Sequence, residues 1–405
     1  MRGTPALIVT VLFGCGGEAA PNPANYTVVD SAGIEIVESL APAWGYEGYA
    51  IDPEPLVRIG REEEGPYQFG FVYRALFTEG GAIAVPEYGS QELRIFDSSG
   101  LHLRTLGGRG EGPGEFQRFS GANRFPGDSL AAFDGQLSRI TIFSPSSGEQ
   151  RTILSQVEGN FAVFGILEDG HFLLYSPGGS YHPELEPGLQ WVFTDVISVD
   201  PSDGSWRVLA SLPGRQQLVE PDGNTGRVIP DLYSIQAVAE SGFFWAKQDR
   251  FVIDFYDGDG VLRRILRRPV DPVPVDQSMV NEWIEATLEE VRRREGEEAV
   301  PRYRSRYEDA LLGEHVPVFG IAFVDSEDRL WVSGPAWPSL DSTPRQWSVF
   351  SKDGFWLGDL EPPEGVRIVD SRGDLVLGVW HDEFDVPYVQ VHRLDRVGVG
   401  LMGSY

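Results

Sequence analysis

An all-β ring, a six-bladed β-propeller with four antiparallel strands in each blade, is the fold class the sequence predicts, and three observations predict it. The first is a repeat. Residues 107–116 read Gly-Gly-Arg-Gly-Glu-Gly-Pro-Gly-Glu-Phe, and a weaker copy runs over residues 60–69. Gly60 and Arg61 precede Gly108 and Arg109 by 48 positions, while Pro66 and Phe69 precede Pro113 and Phe116 by 47. The second is the sorting of turns into a tight kind and a long kind. The third is a final repeat that stops one strand short, with a spare strand at the N-terminal end to complete it.

Taken in order, the strands fall into units labelled a to d. The first unit uses residues 73–77, 82–86, 92–96 and 101–106; the second 121–125, 129–133, 139–143 and 151–154. The third uses 161–167, 171–175, 191–199 and 206–209; the fourth 235–239, 242–246, 251–256 and 261–267; the fifth 320–324, 330–333, 346–350 and 355–360. Runs such as Leu93-Arg94-Ile95-Phe96 carry the β-branched and aromatic residues that strands favour. The last unit has only 366–369, 375–380 and 388–394, so residues 56–60 are expected to pair with 388–394 and close the ring. Closure removes unpaired strand edges.

The a–b and c–d turns are tight and built from Asp and Gly, as in Asp257-Gly258-Asp259-Gly260, because those residues tolerate positive φ. The b–c and d–a connections are long: 176–190, 213–231, 334–345 and 381–387. In an up-and-down blade these two long types emerge on one face, so one side of the ring is clipped and the other is elaborate. Function concentrates on long loops held by a rigid scaffold. The longest connection, 271–317, carries a helix. Val280, Trp283, Ile284, Leu288 and Val291 recur at helical spacing, Asp276 or Ser278 caps the start, and Gly296 follows the end. Glu289 with Arg293, and Glu290 with Arg294, form i,i+4 pairs. A second helix is expected over 303–312. The insertion reads as a structural cover on the loop-bearing face or, more sharply, as a lid or docking surface.

Composition narrows the function classes. Acids outnumber bases 61 to 33, giving a net charge of −28 that opposes nucleic-acid binding. The single cysteine, Cys15, excludes an intramolecular disulfide. It ends Leu12-Phe13-Gly14-Cys15, after Arg2 and an apolar run over 6–13 that is too short to span a bilayer. Residues 1–14 therefore read as a signal peptide, 15–25 as a flexible tether, 26–397 as the propeller and 398–405 as a tail.

Residues 12–15 resemble the lipobox of bacterial lipoproteins. Together with Val28-Val29-Asp30-Ser31-Ala32-Gly33-Ile34, the 107–116 motif and Asp385-Val386-Pro387-Tyr388-Val389, they make nearly the whole mature chain resemble six-bladed β-propeller lipoproteins of NHL-repeat style. That resemblance implies lipidation of Cys15 and a cell-envelope address, with Gly16 after the cysteine pointing to the outer membrane. It implies no single activity, since propellers host binding scaffolds, hydrolases and lyases alike.

No catalytic constellation stands out. The glycine spacing of 107–116 does not match a phosphate loop, and its glycines instead suit a tight passage between blades, with Phe116 packing into the next one. Residues 257–260 lack the remaining ligands of a calcium loop. The six histidines form no zinc-ligand spacing. His381, Asp382, Glu383 and Asp385 form the densest group of ligand-type side chains, where calcium finds oxygen donors if anywhere; an exposed acidic loop accounts for them equally. His182, with Glu184 and Glu186, reads the same way. Trp337 and Trp283 offer flat surfaces to a sugar or peptide, or serve as packing. No cofactor is required. The reading is a binding module for a peptide, glycan or protein partner in the envelope, using its loop-rich face. The alternative is a metal-dependent hydrolase or lyase like propeller lactonases and amidating lyases, with ligands such as Asn123 and Asp325 around the channel.

Overall fold

A computed structural model describes residues 23–43, 48–60, 65–157, 161–176, 186–221, 224–307, 310–335, 337 and 346–397. Six small antiparallel sheets stand in a ring, a six-bladed β-propeller. Blade 1 comprises Leu76–Phe77, Ile83–Glu87, Glu92–Phe96 and His102–Gly107. Blade 2 comprises Phe119–Phe125, Ser129–Asp134, Arg139–Phe143 and Gln150–Leu154; blade 3 Ala162–Ile166, Phe172–Tyr175, Gly188–Val199 and Trp206–Val219. Blade 4 comprises Ser234–Ala239, Gly242–Lys247, Val252–Asp257 and Leu262–Arg267; blade 5 Ala322–Val324, Leu330–Ser333, Trp347–Phe350 and Trp356–Leu360. Middle strands such as Ile83–Glu87 are buried on both faces because each sheet is packed between two others, whereas outer strands such as His102–Gly107 alternate. Core clusters accordingly bridge neighbours: Leu93, Ile95 and Leu106 of blade 1 pack with Leu130, Ala132 and Phe143 of blade 2.

Blade 6 holds Arg367–Arg372, Leu375–His381 and Pro387–Val397, and its outer strand comes from the other end of the chain. Val57, Arg58 and Ile59 lie antiparallel to Val391, Gln390 and Val389, the closure the sequence predicts. The outer strand is longer than expected. Gly48–Ile51 continues it against Leu394–Val397, and the break between the two segments falls at Pro53 and Pro55, which have no N–H to give to a ladder.

Ahead of the closing strand lies a hairpin not expected from the sequence. Tyr26–Ser31 and Ile34–Ser39 turn at Ala32 and Gly33, both at positive φ. Ile34–Ser39 lies parallel on Leu262–Arg267 and covers the outer edge of blade 4, with Val37 fully buried.

Two further expectations are corrected. The outer strands of blade 3 run on through what read as loop, pairing Gly188 with Val219 so that the hairpin rises above the loop-bearing face. The outer strand, expected to stop at Leu209, runs past a bulge there, where Val196 pairs with Ala210 and Ile197 with Val208, and Pro213 sits at a second bulge, where a missing N–H is tolerated. In the insertion, α1 (Gln277–Glu295) is capped by Asp276, which accepts the Met279 N–H at 2.9 Å. Its ion pairs are Glu289–Arg292, Glu290–Arg293 and Glu290–Arg294, so one expected pair shifts by a residue. The second helix, α2 (Val300–Arg304), starts earlier than expected because Pro301 suits a first turn. Leu311–Leu312 is not helical but pairs in parallel with Val228–Ile229.

A recurring contact fixes how four of the blades, 1, 2, 4 and 5, enter their inner strands. Glu87 accepts the Phe71 N–H at 2.7 Å, Asp134 the Gln117 N–H at 2.7 Å, Gln248 the Tyr233 N–H at 3.2 Å and Ser333 the Ile321 N–H at 3.0 Å. Burial pushes the Glu87 carboxyl up, but hydrogen bonds from the Ser90 hydroxyl and the Phe71, Ser90 and Gly89 amides outweigh it and hold it below its ordinary value.

The 107–116 motif is the passage from blade 1 to blade 2. Phe116 is fully buried between the two sheets, and the Glu111 and Glu115 carbonyls accept from the Arg139 guanidinium. Gly107 has φ +82°, and a Cβ there stands 2.5 Å from the Phe116 ring. Gly107→Ala is therefore expected to lower stability by about 2 kcal/mol, from left-handed strain plus overpacking, as read by urea unfolding. A loss below about 0.5 kcal/mol, the scale of a neutral surface change, shows that Phe116 moves aside freely.

Candidate functional site

The inner strands of all six blades surround a central channel of about 460 Å³, with Tyr73, Asn123, Val163, Tyr233, Ile321 and Arg367 among its lining residues, one from each blade. Its two ends differ. At the end facing the tight a–b turns, Arg124 of blade 2 reaches across the axis. Its guanidinium donates to Asp370 of blade 6 at 2.7 Å and to the Val324 carbonyl of blade 5 at 3.2 Å. Asp370 also accepts the Phe77 N–H of blade 1 at 2.8 Å, so this knot ties four blades together. Burial pushes the Asp370 carboxyl above its ordinary value, against the pull of Arg124 and the Phe77 and Ser371 amides.

The a–b turns are themselves linked around the rim. The Gly80 N–H donates to Asp128 at 2.9 Å, Glu168 N–H to the Glu240 carbonyl at 3.2 Å, and Glu240 N–H to Asp328 at 3.1 Å. Gly373 N–H donates to Glu327 at 2.9 Å, and Arg372 to the Glu79 carbonyl at 2.9 Å. These bonds join the turns of five of the six neighbouring pairs of blades, all but blades 2 and 3, among the described residues.

The opposite end is open and faces the long loops. Tyr73 and Tyr233, each about half exposed at 51% and 47%, stand at the rim. The Arg367 guanidinium lies 4.8 Å from the Tyr73 ring centre, a cation–π contact between blades 6 and 1. Burial pushes the Tyr88 phenol up, while the charges of Arg74 and Arg367 pull it down. Burial likewise raises Tyr175, opposed by its hydrogen bond with Gln236. Below the rim Ala75, Ala122, Ala237 and Ala322 lie along the wall, the first three almost fully buried in the blade cores.

The residues singled out in the sequence do not gather here. Trp337 is 2% exposed, and its indole stacks on Trp283 at 6.0 Å; with Val280, Val316 and Tyr307 they form a small core under α1. The flat surfaces expected of these tryptophans are used for packing. No described residue of the 271–317 insertion lines the channel. His381 ends a strand, and Asp382 spends its carboxylate on its own turn, accepting the Phe384 and Val386 N–H groups at 2.9 Å. Asp385 has φ +62° and meets Arg293 of α1 at 3.8 Å. Glu383 is exposed on the same turn. No set of three metal-ligand side chains converges among the described residues. His182 and Cys15 lie outside the described residues. Of the channel candidates, Asn123 does line it, whereas Asp325 is buried beneath Arg329 and Trp331 at 2.7 Å from each. Arg74, Arg367, Tyr73 and Tyr233 went unnoticed in the sequence, where their only signal is a place just ahead of, or at the start of, an inner strand.

The fold has counterparts among solved structures. A member of the DUF4221 family from Bacteroides vulgatus matches with a TM-score of 0.52 at 12% identity, over 87% of this chain and 99% of that one. A protein described as exported, from Bacteroides fragilis, gives 0.47 at 12% identity over 89% and 99%. A gluconolactonase from Xanthomonas campestris gives 0.44 at 12% identity over 81% and 87%. The first likeness shows the fold alone, and the other two add nothing to it. No protein-family model and no curated protein matches the chain.

Proposed function

We propose that the protein is a non-enzymatic binding module of the cell envelope, tethered through lipid on Cys15 at the outer membrane, that takes a peptide, glycan or protein partner on its loop-bearing face. The observation that carries this reading is the central channel, crossed at one end by the Arg124–Asp370 pair and rimmed at the other by tyrosine and arginine. Concave sites with a few convergent polar groups are where ligands settle. A metal-dependent hydrolase or lyase needs several hard donors meeting in the channel. The lining supplies one carboxylate, Asp370, and Arg124 already holds it.

The test is site-specific photo-cross-linking in intact cells. Photoreactive residues at Tyr73 or Tyr233 are expected to give discrete adducts with an envelope component, and those at Ser99 or Asp259, on the tight-turn face, none. Adducts confined to Ser99 and Asp259, or absent from all four positions, overturn the reading. The tether is read separately: Cys15→Ser is expected to leave the membrane fraction for the soluble one, and unchanged fractionation counts against lipidation.

A further inference from the structure

His392 lies in the third strand of blade 6 and is 1% exposed, with Gln390 two positions away at 2%. It stands opposite the break between Gly48–Ile51 and Val57–Ile59, the two segments that complete that blade. Its Nδ1 is 2.8 Å from the Asp52 carbonyl oxygen. A carbonyl only accepts, so Nδ1 carries the hydrogen. Its Nε2 is 3.0 Å from one end of the Gln390 carboxamide, and the other end faces the Arg58 Nε and Nη2 at 3.1 and 3.2 Å. A guanidinium only donates, so the end facing it is the carboxamide oxygen, and the amide nitrogen donates to Nε2. Both ring nitrogens are thereby assigned, and the imidazole is neutral.

We propose that His392 is an acid-sensitive latch on ring closure: a proton taken up at Nε2 meets the Gln390 amide donor against donor and loosens residues 48–59 from blade 6. The latch is independent of what the loop-bearing face binds. Turning the Gln390 carboxamide over offers Nε2–H an acceptor, but sets the amide against Arg58 and forfeits two hydrogen bonds from the guanidinium. Arg58 is itself held over the Trp380 ring at 5.0 Å, a contact it loses by swinging clear. Burial holds His392 below the ordinary imidazole value; Arg58 adds to this, while Asp52, through its carbonyl and its charge, and Glu54 oppose it. Across the sheet its partner is Val376, and the adjoining core of Ile51, Leu394, Trp347 and Leu360 toward blade 5 is apolar. The sign follows. With the outer strand released, His392 regains an ordinary imidazole, so the opened ring binds more protons than the closed one. The latch is at full strength above about pH 6.5 and weakens as pH falls from there toward the folded value.

The experiment is hydrogen exchange of the folded chain, read by mass spectrometry and corrected for intrinsic rates, at about pH 7.5 and about pH 5.5, either side of the ordinary imidazole value. Amides of residues 48–59 are expected to open more readily at the lower pH, by at least about threefold and at most about tenfold, the limit for a single imidazole over that interval. Residues 150–154, the outer strand of blade 2, hold no histidine and serve as the control, expected to change by less than about twofold. His392→Gln is expected to abolish the difference between the two segments. Arg58→Leu, at an exposed position, is expected to keep the fold and at least halve the response, because Gln390 then turns its oxygen to the imidazolium freely. If His392→Gln folds poorly, the parent and Arg58→Leu still decide. An equal pH response in the two segments, or one that survives His392→Gln, overturns the latch. A response unchanged by Arg58→Leu overturns it as well, since the carboxamide is then not what keeps the proton off.

Discussion

Arg124→Ala is expected to cost about 3–5 kcal/mol of stability near neutral pH, because it strands a buried carboxylate. Asp370 is 3% exposed, and Arg124 is the group that faces its charge from across the axis. The pH dependence has a definite sign. Burial already raises the Asp370 carboxyl in the folded protein. A carboxyl with a higher pKa folded than unfolded weakens the fold as pH climbs from the unfolded toward the folded value, and contributes nothing below both. Loss of Arg124 lifts the folded value further. The deficit should therefore be largest at neutrality and shrink on acidification as Asp370 takes up its proton. Chemical denaturation of the variant and the parent across a pH series checks this, and a deficit that stays constant with pH sinks it. Replacing both partners, Arg124→Met with Asp370→Leu, is expected to cost less than Arg124→Ala alone, since no charge is then left uncompensated.

Ile59→Asp should be more damaging still, at roughly 4–5 kcal/mol or beyond, the scale of an unpaired charge in a core. Ile59 is 1% exposed, pairs with Val389, and packs with Val85, Phe96 and Val391 across the junction of blades 6 and 1. A carboxylate there must either stay charged against hydrocarbon or unzip the outer strand. The control is Leu56→Asp, three residues away and 48% exposed, expected within about 0.5 kcal/mol of the parent. Thermal unfolding and limited proteolysis distinguish them. If Ile59→Asp melts with the parent, the N-terminal strand is dispensable for closing the ring.

Particular residues show what the sequence made legible. The six-sheet ring was readable because Asp-Gly turns punctuate it, and the closing strand because the last repeat came up one short. The outer strand of blade 3 extends beyond the 206–209 expected because bulges at Leu209 and beside Pro213, which no local pattern announces, let the ladder continue. Tyr303, Tyr307 and Leu311 have helical spacing, yet Leu311 and Leu312 pair with Val228 and Ile229, a tertiary contact outweighing local preference. Trp337 looked like a recognition surface because a loop tryptophan gives no hint of the helix that buries it. The candidate site was the least legible part. Arg74 and Arg367 are nearly three hundred positions apart, and only closure of the ring carries them to one rim.

The N-terminal segment runs like a strap around the outside of three blades. It begins as a hairpin on blade 4, touches blade 5 where the Trp356 N–H donates to Ser39 at 3.1 Å and the Ala43 N–H to the Trp356 carbonyl at 2.8 Å, and ends in blade 6. Val57 to Ile59 have no ladder partner until residues 389–391 exist. Closure of the ring therefore waits for nearly the whole chain, a pairing of long sequence separation of the kind that slows folding.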